Sequence, residues 1–352
     1  MLAMESSSLL QRRQKFVGSE LRIDCKQRKK GVSSAVTPCS VSKVSSAKSD
    51  ASDGSTATCD TAESGEPLSG GFLVDDAHAA IVGLYEKWIE AYQPFEQLGQ
   101  GSAGVVYRAR RKADEQNVAV KIMRMHDDDE DHLTASQKEF DILKSLQHPC
   151  IIKALDFIKF PMGAALVMEY FPGFNLKSAV RLVLGKRMQE PVAQVIFSKL
   201  IQAIAYLHKN EIIHRDVKAQ NVLVSPQFDN LRLIDFNVAK SMDDGPLTMT
   251  GTVDWMPPEV LLGDSPTAAG DIWAAGMCLY LMLCGKMPLE GKNFRSKYES
   301  GIELSAGDLV ELPLSVSGNV SGACKAVLRS CLKPDPRKRA SAFELLGQQW
   351  IQ

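Results

Sequence analysis

The chain has 352 residues, 45% of them hydrophobic and 24% charged, with a net charge of −1, enough for roughly two domains of about 150 residues with proper cores. That balance gives no overall field for nucleic acid, and the longest apolar run, Ile272 to Cys284, falls short of the roughly 20 residues of a membrane span. The N-terminus has neither an apolar export segment nor a glycine at position 2 for myristoylation, and eight cysteines without a C-x-x-C pair read as reduced thiols in a reducing compartment.

Residues 1 to 71 are rich in Ser, Thr, Lys and Asp with no sustained period, a composition that cannot offset ordering entropy and predicts a disordered tail. Its clusters at Arg12, Arg13 and Lys15 and at Lys26 to Lys30 read as a solvated basic tail, with a nuclear-import or organelle-targeting signal as the alternative. From residue 74 to 93 the pattern changes: Ala77, Ile81, Leu84, Tyr85, Trp88 and Tyr92 recur at three- and four-residue steps. This predicts one amphipathic helix, broken by Pro94, whose stripe buries against the domain that follows, with a partner protein as the alternative.

Leu98, Gly99, Gln100, Gly101, Ser102, Ala103 and Gly104 then form a glycine-rich turn between two β-rich runs. A dinucleotide-binding turn opens into a helix, whereas VVYRARR alternates as a returning strand does. Strand, turn and strand let backbone N–H groups approach phosphate oxygens without an intervening Cβ. Lys121 ends the run VAVK, where a buried ammonium needs an anion. Glu139, on the helical stretch Leu133 to Leu146, is the first candidate, with Asp141 as its neighbour. Between them His126 to His132, HDDDEDH, reads as a solvated loop leading into a helix start rather than as a metal site.

Leu166 to Tyr170, LVMEY, is a strand running into Pro172 and Gly173, and Val192 to Lys209 is a strongly apolar helix. His214 to Asn221, HRDVKAQN, follows as a polar loop between apolar runs. Beyond it lie Asp235-Phe236-Asn237, then Pro257-Pro258-Glu259 with 24 residues from Asp235 to Glu259, then Asp271-Ile272-Trp273-Ala274-Ala275-Gly276 opening the apolar run to Cys284, and finally Arg339.

In that order these segments resemble the motif set of eukaryotic-type protein kinases of the Ser/Thr type over about residues 95 to 350. KAQN and the G-T-x-x-W-M stretch are similar to Nek-like and STE20-like kinases. The resemblance implies an α+β, bilobal protein kinase fold: a β-rich N-lobe over 95–168 with one main helix, a hinge over 169–173 and a larger, mostly helical C-lobe over 174–350, with no C-terminal regulatory tail after Trp350. It implies a serine/threonine protein kinase, an ATP-dependent phosphotransferase acting on protein substrates with ATP and Mg2+. Nucleic acid and membrane are not expected as partners, and the expected location is cytoplasmic, with the nucleus also open.

The roles carried over by the resemblance are specific. Asp216 would act as base toward the substrate hydroxyl and Lys218 would neutralise the transferring phosphoryl group; Lys121, paired with Glu139, would hold the α- and β-phosphates, and Asn221 and Asp235 would ligate magnesium. ATP would be enclosed by Leu98 to Gly104, Val106, Ala119, Lys121, Met168, Glu169, Phe171 and Leu223, with backbone groups of Glu169 and Phe171 on the adenine. Thr248 is the expected regulatory phosphosite, filled by an upstream kinase or by autophosphorylation and paired with Arg215, while Thr252 would contact Asp216 and Lys218. Glu259 should pair with Arg339, and Asp271 should brace the catalytic loop.

One departure stands out, because Asn237 occupies the glycine position of D-F-G. Asn tolerates left-handed backbone better than most residues, so the turn is expected to survive. A pseudokinase scaffold without phosphoryl transfer is the alternative that Asn237 favours; a small-molecule phosphotransferase usually lacks the P-P-E and D-x-W-x-x-G elements. Kinases that require arginine upstream of the target carry acids where this chain has Asn175, Gln220 and Leu281, which predicts that it is not strongly basophilic.

Overall fold

The computed structural model describes residues 86–101, 104–124, 130–160, 163–236, 240–241, 255–288, 316 and 318–352. The tail over 1–71, residues 74–85, Ser102, Ala103, His126 to Asp129, Asn237, Thr248, Thr250 and Thr252 lie outside the described residues.

The small lobe is one antiparallel sheet in the order β1-β2-β3-β5-β4, built from β1 (Tyr92–Gly101), β2 (Gly104–Arg111), β3 (Asn117–Arg124), β4 (Ala154–Phe160) and β5 (Gly163–Glu169). Alternation along β3 assigns its side chains to two faces. Val118, Val120 and Ile122 pack on one side with Ala165 and Val167, whereas Ala119 and Met123 join Leu143, Leu166 and Met168 on the other. On that second side runs α2 (Glu130–Ser145), the main helix of the lobe, with Leu143 1% exposed.

The first face is closed by α1 (Glu86–Ala91) and the start of β1, through Trp88 and Tyr92, 2% and 4% exposed. The two described residues of the stripe, Trp88 and Tyr92, therefore bury against the small lobe; Ala77, Ile81, Leu84 and Tyr85 lie outside the described residues. The helix itself differs from the expected span of 74 to 93, because it ends at Ala91 and Tyr92 already belongs to the sheet, paired with Arg111. Pro94 thus sits inside a strand. β1 is an edge strand and shifts register between Pro94 and Glu96, and an edge or bulge is where a residue without an N–H does least harm.

The large lobe follows through β6 (Phe174–Asn175) and α3 (Leu176–Leu182), whose first turn is capped by Asn175 Oδ1 on Ser178 N. Then comes α4 (Glu190–Lys209), begun by Pro191 in its first turn and lined by buried Ile196, Phe197, Leu200, Ile201 and Ile204. Next are β7 (Ile212–Ile213), β8 (Val222–Val224), β9 (Leu231–Leu233) and β10 (Lys240–Ser241), in two small sheets ordered β10-β7 and β6-β8-β9. Beyond them lie α5 (Pro258–Leu261), α6 (Ala268–Cys284), α7 (Gly322–Cys331) and α8 (Ala342–Leu346).

From Asp271 to Leu283 every residue of α6 is buried, so this helix is the spine of the lobe. Gly276 is required there by packing: a Cβ at that position would lie 2.6 Å from Cys331 Cβ on α7. Among the described residues no helix is long and apolar enough to cross a membrane. The architecture is the bilobal α+β fold expected.

Candidate active site

The two lobes meet at Lys121. On β3 it lies opposite Val106 of β2 and Leu166 of β5, and its side chain is 9% exposed. An ammonium in that position must be compensated, and it is compensated from both lobes. Its Nζ donates to Glu139 Oε1 and Oε2 at 3.1 and 2.9 Å from α2, and to Asp235 Oδ1 at 3.1 Å, two residues beyond the end of β9. Burial alone would lower the lysine pKa, but the charges of Glu139 and Asp235 outweigh it and hold the pKa above the ordinary value. Asp235 is the reciprocal case: burial would raise it, and Lys121 holds it below the usual carboxylate range.

Glu139 ties a third group into this junction, since its Oε1 also accepts the Phe236 amide at 3.2 Å. Phe236 is fully buried, and its ring meets His214 edge-on at 4.6 Å while His214 Nε2 lies 3.2 Å from the Ile234 carbonyl. The position of α2 is thereby linked to the backbone that carries Asp235. Asp235 itself has φ 68, so among the described residues of this segment the aspartate is left-handed; Asn237, expected to adopt such backbone, lies outside the described residues.

The loop His214 to Asn221 is a second polar cluster. Lys218 Nζ donates to Asp216 Oδ2 at 2.6 Å, and Asn221 Nδ2 donates to the Asp216 carbonyl and to Asp216 Oδ2, both at 2.9 Å. With its NH2 group turned onto Asp216, the carboxamide of Asn221 presents its oxygen elsewhere. The Asn221 carbonyl accepts the Ile234 amide at 2.9 Å, so the two strand ends that carry Asn221 and Asp235 run side by side. A carboxamide oxygen and a carboxylate are hard donors suited to a hard divalent cation, and magnesium needs only one or two such protein ligands when phosphate oxygens supply others. The residues present fit magnesium.

The loop is held from below by Asp271 of α6, which is 2% exposed. Its Oδ2 accepts the His214 amide at 2.9 Å and lies 2.9 Å from His208 Nε2, while Oδ1 accepts the Arg215 amide at 2.8 Å. Burial would raise this carboxyl, yet the bonds and charges of His208 and His214 keep it below the ordinary range. Arg215, at φ 67, takes the left-handed turn that lets two successive amides converge on one carboxylate.

The residues expected around a nucleotide line the interlobe edge. Ala119 pairs with Met168 across β3 and β5, both nearly buried, and Leu223 of β8 pairs with Asn175 just past the hinge. Val106 is partly buried against the main core, and Leu98 is 36% exposed. The Glu169 amide donates to the Lys153 carbonyl at 2.9 Å, so of its two backbone groups the carbonyl is the one left for an adenine. Gln100 lies on β1, with Gly99 and Gly101 beside it facing open space, as a phosphate cradle requires. Gly104 answers to a different constraint: at φ 132 its Cβ would stand 2.1 Å from the Ile122 carbonyl oxygen, so it is glycine because β2 crosses close to β3.

Sequence reasoning missed the grip on the hinge. Arg108 of β2 lies over the Tyr170 ring at 4.4 Å and the Phe95 ring at 5.0 Å, and Arg232 of β9 donates to Glu169 Oε1 at 2.8 Å and lies over Phe171 at 5.0 Å. Each arginine occupies an unremarkable polar position of an alternating strand, and only the fold brings it to the hinge.

A protein kinase domain model matches residues 92–351. The chain is 32% identical over 268 residues to a probable myosin light chain kinase of Dictyostelium discoideum, covering 74% of this chain and 83% of that protein. It is also 32% identical to serine/threonine-protein kinase 33 of Bos taurus over 266 residues, and 32% identical to serine/threonine-protein kinase DCLK3 of Mus musculus over 262 residues. These matches cover 72% of this chain in both cases but 54% and 32% of the two relatives. With the bilobal architecture, the family match and these relatives in agreement, the chain belongs to the eukaryotic-type Ser/Thr protein kinase superfamily.

Proposed function

We propose that this chain is an active kinase that transfers the γ-phosphoryl group of Mg-ATP to serine or threonine hydroxyls of proteins. The observation that carries the reading is the Lys121 junction, where one ammonium joins Glu139 of the small lobe to Asp235 of the large one beside a loop whose Asp216, Lys218 and Asn221 already touch one another. Lys121 positions the α- and β-phosphates. Asn221 and Asp235 are the residues that would hold magnesium, which when bound would neutralise charge on the phosphate oxygens. Asp216 accepts the proton of the attacking hydroxyl and orients its oxygen, and Lys218, 2.6 Å from Asp216, counters charge on the transferring group. The glycine-rich turn and Val106 cover the nucleotide, while Ala119, Met168, Leu223 and the backbone of Glu169 and Phe171 seat its base. Positioning and charge stabilisation supply the catalysis. Thr248 is the regulatory phosphosite of this reading: a phosphate on it would pair with Arg215.

The test is phosphoryl transfer from γ-labelled ATP to a panel of acidic and basic carrier proteins, comparing the wild type with Asp216→Ala. Transfer by the wild type alone, on Ser and Thr, supports the reading. Equal background in both proteins sinks it in favour of the nucleotide-binding scaffold that Asn237 suggests.

A further inference from the structure

Three consecutive hinge residues are held from opposite lobes, and the small-lobe hold falls on the strand pair that carries the glycine-rich turn. In an extended segment successive side chains point to opposite sides. Glu169 and Phe171 accordingly meet Arg232 of β9, while Tyr170 between them meets Arg108 of β2, whose guanidinium lies 4.4 Å from the centre of the Tyr170 ring.

The register of the small-lobe sheet fixes where Arg108 stands. It pairs with Ala119 of β3, and Ala119 pairs with Met168 of β5, so the three share one row and one face across the sheet. That is the face on which Val106, two residues earlier, packs against the main core, whereas Tyr107 and Ala109 turn to the opposite face. Arg108 therefore stands one strand outward from Ala119 and two from Met168, in the row expected to seat the base.

β1 supplies a second hold through its bulge. Pro94 pairs with Ala109 and Glu96 with Arg108, which leaves Phe95 as the extra residue. A bulge re-aims a side chain, and here both neighbours reach the same arginine. The centre of the Phe95 ring lies 5.0 Å from its guanidinium, and Nη1 donates to Glu96 Oε2 at 3.3 Å. Stability alone does not ask for a guanidinium there. Its ion pair with Glu96 has side chains 28% and 33% exposed, a class worth little. Its Nε is buried with no acceptor among the described residues, a cost that an apolar side chain of similar length would avoid. What only a cation supplies is attraction to both ring faces, each within the roughly 6 Å over which such contacts act.

We infer that Arg108 is a positioning residue for the nucleotide: by bridging Phe95 on β1 and Tyr170 on the hinge, it fixes how closely β1, β2 and their glycine-rich turn stand over the base. The inference rests on the proposed nucleotide site and adds to it a residue that acts through the covering strands rather than on the phosphates.

The experiment measures the Mg-ADP affinity of the full chain by calorimetry, beside KM for ATP and kcat, in the wild type, Arg108→Ala, Arg108→Met, Arg108→Lys, Tyr170→Leu and the double variant Arg108→Ala with Tyr170→Leu. Each ring contact is worth a factor of about two to five, so Arg108→Ala should weaken Mg-ADP about 5- to 20-fold, with KM for ATP rising in parallel and kcat at saturating ATP staying within about twofold. Arg108→Met keeps an apolar stem and should do no better, whereas Arg108→Lys keeps the charge and should recover about half of the loss on a logarithmic scale. Tyr170→Leu should cost about two- to fivefold, and because it acts through the same contact, the double variant should be no weaker than Arg108→Ala alone. Mg-ADP binding by Arg108→Ala or Arg108→Met within about twofold of wild type, or multiplication of the two losses in the double variant, overturns the inference. Binding is read without turnover, so a wild type that binds Mg-ADP and transfers nothing contradicts the kinase reading alone. A wild type that binds no nucleotide overturns both.

Discussion

Lys121–Glu139 in the small lobe and Glu259–Arg339 in the large lobe are both buried ion pairs, yet their surroundings differ. Arg339 has a side chain 0% exposed, pairs with both oxygens of Glu259 at 2.7 and 2.9 Å, and places its remaining N–H groups on the carbonyls of Lys333 and Ala269. Its guanidinium also lies over Trp273 at 5.1 Å. Every one of its nitrogens is engaged by protein. Lys121 is shared between two carboxylates, one of which, Asp235, keeps a side chain 27% exposed. The first pair is closed and can only hold α5 against the end of the chain; the second opens on a cleft and can exchange a partner for an incoming anion. A buried ion pair therefore signals function only when part of its coordination faces solvent.

Removing Arg339 should do the most damage, since Arg339→Ala leaves the Glu259 charge and several carbonyls buried without partners. A loss of about 3–5 kcal/mol is expected in urea unfolding at constant m. Lys121→Met should instead cut transfer about 10²–10³-fold, the scale of losing one preorganised donor. Its cost in stability should be smaller, about 1–3 kcal/mol, because Glu139 keeps the Phe236 amide and Asp235 can turn to water.

Replacing whole pairs sharpens the contrast. Lys121→Met with Glu139→Leu should recover the larger share of the lost stability, short of the one Phe236 amide left without its acceptor, and none of the activity. Glu259→Leu with Arg339→Met should recover only part, because the carbonyls of Ala269, Lys333 and Pro334 remain unsatisfied. Equal recovery in the two double variants would erase the distinction drawn here.

Acidity provides the gentlest probe. Asp235 and Asp271 have folded pKa values below the unfolded carboxyl value. Their contribution is therefore complete above about pH 4 and drains away as pH falls through the folded values. Lys121 is raised, so its share is complete below about pH 10 and is lost as pH rises through its folded value. Asp271→Asn should flatten the acid limb of stability against pH, and Lys121→Met the alkaline limb.

Much of the site was legible because its residues sit at fixed offsets in short polar segments between apolar runs. Lys121 and Glu139 are 18 residues apart and meet because a strand and the next helix can only pack one way once the stripe of Leu143 and Leu146 turns to the sheet. The brace from Asp271 to the catalytic loop was legible for the same reason. The end of α1 was not, because Trp88 and Tyr92 share a four-residue step that serves equally a helix or a helix turning into a strand. The second duty of Gly104 was hidden as well: a close strand crossing leaves no trace in a motif that already asks for glycine. Arg108 and Arg232 act on the hinge from 62 and 63 residues away along the chain, a relation that strand alternation does not encode.

The most direct measurement follows Mg-ATP binding and phosphoryl transfer on the same preparation of Asp216→Ala, set beside the wild type. With Asp216 as proton acceptor, the nucleotide should bind within about twofold of wild type while transfer falls by about 10²–10⁴-fold. Undiminished transfer by the variant, or a wild type that binds Mg-ATP and transfers nothing, would contradict it.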